Sequence, residues 1–508
     1  MDPQTVKLAV LGVYMAILMV IGAVASRRMK DLGDYFAGGK KLGFWAAAFS
    51  SRATGESSWL LLGLTGMGAV VGVKAFWVVL GETLGVAVAW LLMAGRFKRL
   101  TDLYESVTVP DYLESRFRDT SHRLRQVAAG TLVIFVTIYV SAQIDATGQA
   151  FNEFLGWNYF VGALVGFGVV MVYITSGGFL AVVWSDVFQG SLMFLGLVVL
   201  PIVGLARIGG WSAMTAVLAA QDPSLLHPMG QAGYSLAAVP ELLAFALIGL
   251  GFLGSPQIFV RYLALDSLKE IKPGATVAIV WTLLADGGAV LTGMVGRALY
   301  CQGDPEAFFG TGAKGVLPYM VDHLFPVVIV GVYVAVVLSA IMSTIDSLLV
   351  VAGSAAVRDY YQKVLRPEMK DDELVATSRN LTVALAVVAL ILAVSVAMAV
   401  PERTIFWFVI FGWSGISATF CPVMILSLFW PGMTARGAIA GMITGFLCVP
   451  IFKFVAPKLA IVGPFFGQLS ELPPAFFFAG LAVVLVSLAD HEGQAKVSDI
   501  ASELSGGR

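Results

Sequence analysis

Charge and cysteine are both scarce in this sequence. Only 13% of its 508 residues are Asp, Glu, Lys or Arg, while 58% are hydrophobic; a soluble domain carries about 25% charged and 45–50% apolar residues. A water-soluble fold is excluded, and the chain reads as an integral membrane protein with many spans. The 33 acidic and 32 basic residues nearly cancel, so there is no electrostatic footprint for nucleic acid. Cys301, Cys421 and Cys448 show no metal or redox spacing. All four histidines (His122, His227, His323, His491) fall outside the apolar segments, which argues against a histidine proton relay or a metal centre in the membrane. No glycine-rich phosphate loop ending in Lys-Ser/Thr occurs, no large soluble domain exists, and no nucleophile and base motif is visible. The expectation is therefore a protein that is not an enzyme, needs no cofactor and has no ATP-driven engine. Any work it does must draw on a gradient.

What the sequence has in abundance is long apolar runs. Stretches of about 20 apolar residues mark spanning helices, and they are expected at about 6–25, 42–70, 75–95, 127–150, 158–176, 185–207, 238–262, 275–300, 325–357, 380–400, 404–430, 437–455 and 472–489, about 13 in all. Ala23-Val24-Ala25 resembles a signal-peptidase site, but Met1 to Lys7 lacks a basic cluster and the apolar core is long, so a retained anchor is expected. Most of the 32 basic residues fall in alternate connections, including Arg27, Arg28, Lys30, the segment from Arg96 to Arg125, Arg261, Arg358 and Arg508. Lys and Arg favour the cytoplasmic side, which predicts the N-terminus outside and the C-terminus inside.

Two spans carry interruptions. The first is Ser50-Ser51-Arg52-Ala53-Thr54-Gly55-Glu56-Ser57-Ser58-Trp59, between apolar segments on both sides. Small residues in a membrane helix serve close packing, which accounts for Ser50, Ser51 and Ala53. It does not account for Arg52 and Glu56, since an ionisable side chain at mid-depth costs about 2.5–3.5 kcal/mol on insertion scales and marks a site. Four positions apart, the two are spaced for a helical ion pair.

The second is Gly249-Leu250-Gly251-Phe252-Leu253-Gly254-Ser255-Pro256. Proline removes a donor and glycines ease unwinding, so the stretch reads either as a kink or as a break. Its position, five spans after the first, matches a pair of interrupted segments in two inverted halves, the sequence pointer to a transporter binding site. The predicted organisation is an N-terminal span and inner loop (1–41), a first inverted repeat (42–207), an outer connection (208–237), a second repeat (238–430), two further spans (431–490) and a cytoplasmic tail (491–508).

Candidate cation ligands follow. Ser343, Thr344, Asp346 and Ser347 place oxygens at four of five consecutive positions deep in an apolar helix. That suits a small hard cation better than the habit of Ser and Thr of bonding back one turn. Asp186 reads alone as an interfacial helix cap. For Glu82, Asp145 and Asp286 the sequence offers no partner.

Along nearly its whole length the chain resembles the sodium:solute symporters, most of all their proline-transporting members. The resemblance rests on Leu42-Gly43, Ser57, Trp59-Leu60-Leu61, Val109-Pro110-Asp111-Tyr112, Thr137-Ile138-Tyr139, Gly177-Gly178-Phe179-Leu180-Ala181-Val182 running into Trp184 and Asp186, Pro256, and Met342-Ser343-Thr344. It implies an all-α fold with a five-plus-five inverted-repeat core, one helix before it, two after it, and two discontinuous helices. It also implies a sodium site made of backbone carbonyls of Ala53, Glu56 and Ala340 with the hydroxyls of Ser343 and Thr344. Asp186 matches an aspartate associated with cation coupling, and Asp346 and Ser347 occupy the places of a second cation or proton site. Substrate would lie among Arg52, Gly55, Ser57, Tyr139, Ile248, Phe252 and Pro256. The chain departs from the proline-transporting members at Gly55 and Glu56, where they carry Asp and Met, and at Ile248 and Phe252, where they carry Trp and Tyr.

The expected function is sodium-coupled symport of a small organic solute, an amino acid such as proline or a carboxylate, into the cytoplasm by alternating access. The expected location is a plasma membrane, the cell inner membrane, with the lipid bilayer, sodium and solute as partners and no nucleic acid. The alternatives are proton-coupled symport of the same solutes and a solute-binding membrane sensor.

Overall fold

The structure is a computed structural model that describes residues 2–27, 38–174 and 178–505. Arg28, Lys30, Gly177 and Arg508, used in the sequence reading, lie outside the described residues. Residues 3–26 form helix α1 (Pro3–Ser26), opened by a proline in its first turn, where the missing N–H is not needed. There follow α2 (Phe44–Ser58), α3 (Thr65–Val71) and α4 (Phe76–Val88). Then come α5 (Val109–Arg116), α6 (Arg123–Leu155), α7 (Tyr159–Ile174) and α8 (Phe179–Ile208). The second half holds α9 (Val239–Ala246), α10 (Pro256–Leu263), α11 (Ile271–Tyr300), α12 (Val327–Gly353), α13 (Asp371–Ala399) and α14 (Ile405–Phe429). Two last long helices are α15 (Ala435–Pro450) and α16 (Leu472–Ala489), with a short α17 (Ile500–Ser505) beyond them.

Among the described residues, 11 helices are long and apolar enough to cross a membrane. The sequence expectation of about 13 differs at two places. Phe44–Leu103 is one 60-residue helical tract, turned at Gly72, whose φ of +61° ends α3. The other is α7, of which 16 residues, Tyr159–Ile174, are described.

Burial separates the centre from the rim. In the most apolar windows of Val327–Leu365 and Ile405–Phe429, 83% of residues are buried within the protein, against 22% for Pro3–Ala25 and 28% for Glu373–Ala399. Lipid replaces protein as the apolar partner on the rim helices, so α12 and α14 are the inner ones. Helix α12 packs on α2, α6, α8 and α1, while α14 packs on α6 and α15.

Both interruptions are real but narrower than expected. Residues 50–56 stay helical, and the break of α2 is confined to Ser57 (φ 50°, ψ −166°), followed by a wider turn over Trp59–Leu64. In the second, Leu247–Leu253 winds more tightly as a 3₁₀ helix, Gly254 and Ser255 leave the helical region, and Pro256 starts α10. Pro256 is thus a helix opener, not the breaker. Freed carbonyls find side chains, as they must in lipid: Trp413 Nε1 donates to Ile248 O at 3.1 Å and Ser255 Oγ to Gly251 O at 2.6 Å.

Candidate functional site

The break at Ser57 turns the end of α2 toward α12. Ser58 N–H donates to Gln143 Oε1 at 3.2 Å, and the carbonyls one turn earlier are met by hydroxyls of α12. Ser343 Oγ lies 3.0 Å from Ala53 O and 3.3 Å from Ala340 O. Thr344 Oγ1 lies 3.2 Å from Thr54 O and 3.1 Å from Ala340 O. Five oxygens from two elements therefore converge at a fully buried point, a donor set of the kind hard cations take. Ala53, Ala340, Ser343 and Thr344 meet as expected. The carbonyl of Thr54 lies with them, while neither hydroxyl reaches the Glu56 carbonyl among the hydrogen bonds of the described residues and the Glu56 side chain pairs with Arg52.

Asp186 and Ser347 are also brought together, but around a side chain the sequence reading had put in an inner loop. Arg261, in α10, donates from Nη2 to Ser347 Oγ at 2.6 Å and to Thr54 Oγ1 at 2.9 Å, and stands 3.1 Å from Asp186 Oδ2. Its Nε donates to Ser50 Oγ at 3.0 Å. Arg261 and Asp186 are both fully buried. The Arg261 guanidinium thus stands against Asp186 and Ser347, two of the three residues expected at a second cation or proton site. Asp346 turns aside, its Oδ1 accepting Ser347 N–H at 2.6 Å. The signal for Arg261 was present in Gln257 and Arg261, four apart in an otherwise apolar helix.

The expected substrate residues divide. Phe252 packs against Gly55, where an added Cβ would lie 2.7 Å from its ring, and covers the Arg52 guanidinium at 4.6 Å. Tyr139 donates to Ser57 Oγ at 3.4 Å. Trp413, not foreseen, packs edge-on against Tyr139 and tilted against Phe252, with ring centroids 6.4 and 5.0 Å apart. Ile248 contributes its carbonyl to the Trp413 indole. Pro256 stands apart, at a small cavity of about 20 Å³ beside Thr108, Pro110 and Val351. Arg52 pairs with Glu56, as its spacing predicted, and with Glu82 Oε2 at 3.4 Å. Asp286 completes a buried group of three carboxylates. Asp145 has a separate, structural role, bound by Arg403 and by Tyr159 at 2.5 Å.

On the side holding α5, Arg125 ties Asp111 (2.7 Å), Asp359 (2.6 Å) and Glu114 together, and Arg358 reaches Asp111 at 3.4 Å. Burial alone would raise the Asp111 carboxyl, but the Arg125 and Arg358 guanidinia outweigh it and hold the group below its usual value. This network joins the loop before α5 to α6 and to the extension of α12.

Two interrupted helices that meet around a third, with freed carbonyls and hydroxyls at their junction, define a membrane transporter built on discontinuous helices. Residues 35–445 match the profile of the sodium:solute symporter family. The high-affinity proline transporter PutP of Bacillus subtilis is 37% identical over 488 residues, covering 95% of this chain and 98% of its own. The sodium/proline symporter of Escherichia coli is 33% identical, over 96% of this chain and 93% of its own. The solved structure of a Na⁺-coupled sialic acid symporter superposes with a TM-score of 0.79 at 22% identity, covering 95% of this chain and 97% of that one. The chain belongs to the sodium:solute symporter family. It is a multi-pass transporter with sodium as its coupling ion, not an enzyme.

Proposed function

We infer that the chain carries a small amino-acid-like solute inward across a plasma membrane with sodium, by alternating access. The observation that supports this most is the meeting of Ser343 and Thr344 with the Ala53, Thr54 and Ala340 carbonyls beside the break at Ser57. A sodium ion there neutralises oxygens that have lost helical partners and orders the end of α2. Solute lies one turn away, against Ser57, Tyr139, Trp413 and Phe252. The halves 42–207 and 238–430 then rock against each other, with the N-terminus outside and the tail inside. Binding is reciprocal, so sodium tightens solute by the factor by which solute tightens sodium.

The amino acid relatives direct the choice of solute toward proline and similar compounds, with a carboxylate as the other class. Uptake of labelled amino acids and carboxylic acids into proteoliposomes under an inward sodium gradient tests the reading. Accumulation that follows the sodium gradient and vanishes when it collapses is expected. Accumulation driven equally by a proton gradient without sodium would hand the coupling role to a proton, and binding without accumulation would make the protein a sensor.

A further inference from the structure

Glu82 and Asp286 are not among the hydroxyls and carbonyls that meet at Ser343 and Thr344, yet both are fully buried and lie beside Arg52 and Glu56. One carboxylate oxygen of each and one of Glu56 lie within 4.8 Å of one another. Each comes from a different element: Glu56 from α2, Glu82 from α4 and Asp286 from α11. Arg52 is paired with Glu56 and Glu82, but among the described residues no hydrogen bond or close ion pair reaches Asp286. Both oxygens of Asp286 are buried without a partner, and so is Nε of Arg52.

Two observations make this more than a cluster of acids. Three carboxyl groups face one guanidinium, and any of them that carries charge needs a positive partner in the bilayer interior. Sodium at the neighbouring carbonyls supplies one positive charge, and a zwitterion such as proline supplies none net. The surroundings are also of the kind a cation prefers: the Phe252 and Trp281 rings lie 4.6 and 5.7 Å from the Arg52 guanidinium carbon, and aromatic faces attract positive groups.

We propose that the solute is an amino acid with a basic side chain, whose terminal ammonium or guanidinium is seated between Asp286 and Glu82 while its carboxylate takes the open Nε of Arg52. This rests on the reading of the chain as a sodium symporter and narrows its cargo to a cationic class. It also gives a physical sense to the departures at Gly55 and Glu56. The acidic group sits one position further along the helix and is joined by two others, so the pocket recognises a second positive charge at a greater distance.

The test uses the full chain in proteoliposomes under an inward sodium gradient, with labelled lysine, ornithine, arginine and proline. At least one basic amino acid is expected to accumulate, with proline competing at least tenfold less well. Asp286→Asn is expected to raise the KM of the basic solute tenfold or more and to move the preference toward proline, and Asp286→Glu to restore it. Should Asp286→Asn fail to fold, quenching of the wild-type tryptophan fluorescence by unlabelled lysine and not by proline carries the same information. Sodium-driven accumulation of proline with no competition from any basic amino acid overturns this inference and leaves the symporter reading intact. No sodium-driven accumulation of any of the four removes the symporter reading itself. If Asp286→Asn changes the sodium ions or protons moved per solute without changing the ratio of basic to neutral uptake, the tetrad belongs to the coupling ion and the inference falls.

Discussion

Thr344 presents one hydroxyl to two carbonyls, Thr54 O and Ala340 O, 3.2 and 3.1 Å away. An oxygen that serves a charged partner contributes about 1.5–3 kcal/mol, and 1.4 kcal/mol is a factor of ten. Thr344→Ala should therefore raise the sodium concentration for half-maximal uptake about tenfold or more, read by sodium titration at fixed solute; an unchanged titration would remove Thr344 from the site. Arg261 makes a different prediction. Removing one partner of a buried ion pair costs about 3–5 kcal/mol, so Arg261→Gln should lower the melting temperature in detergent sharply, and adding Asp186→Asn should recover part of the loss. The sequence made Ser343 and Thr344 legible because adjacent hydroxyls in an apolar helix are conspicuous. Arg261 was misread because a basic residue near the end of a span looks like a loop charge, and only packing reveals which helix face it occupies.

Among the elements, the second interrupted segment seats on α4 through glycine. A Cβ on Gly81 would stand 1.9 Å from Ala246 O, and one on Gly249 would stand 2.0 Å from Gly81 O, so α4 and the 3₁₀ segment 247–253 touch backbone to backbone. Gly249→Ala should force them apart, with an overpacking penalty of about 1–3 kcal/mol, and thermal melting together with uptake would register both the strain and the displaced pocket wall. The existence of two interruptions was readable from composition, but the residue that adopts the left-handed conformation was not. Composition points to Gly55, the one residue of the first stretch without a Cβ. Yet Gly55 is needed where Phe252 presses on it, and Ser57 takes the positive φ instead. Which of two tolerant positions bends is decided by what packs against each, and that information lies in the other half of the chain.

For the whole molecule, the membrane class and the family were plain from apolar length and motif order, while the long-range meetings were not. Arg52, Glu82 and Asp286 are far apart in sequence and no local period links them. The network on the α5 side is another such meeting. Arg118 joins Asp499 and Glu503, and Arg99 donates to the carbonyls of Glu503 and Leu504, so α17 is strapped under the same region that Arg125 closes. Because the folded Asp111 carboxyl titrates below its ordinary value of about 3.9, its stabilising contribution is complete above that value and disappears as pH falls through the lower folded one. Asp111→Asn should accordingly melt earlier than wild type at pH 7 and lose less on acidification below about pH 5, as scanning fluorimetry across pH would record.

The Arg52 tetrad also limits how such a pocket can arise or disappear by mutation. Its four members sit on three separate helices, and stripping Arg52 takes from Glu56 and Glu82 the cation they pair with, at a penalty of about 3–5 kcal/mol, a large share of a protein's total margin. A stepwise exchange of these residues for neutral ones that begins with Arg52 therefore crosses a badly folded intermediate, whereas one in which the acids go first, or all four go together, does not.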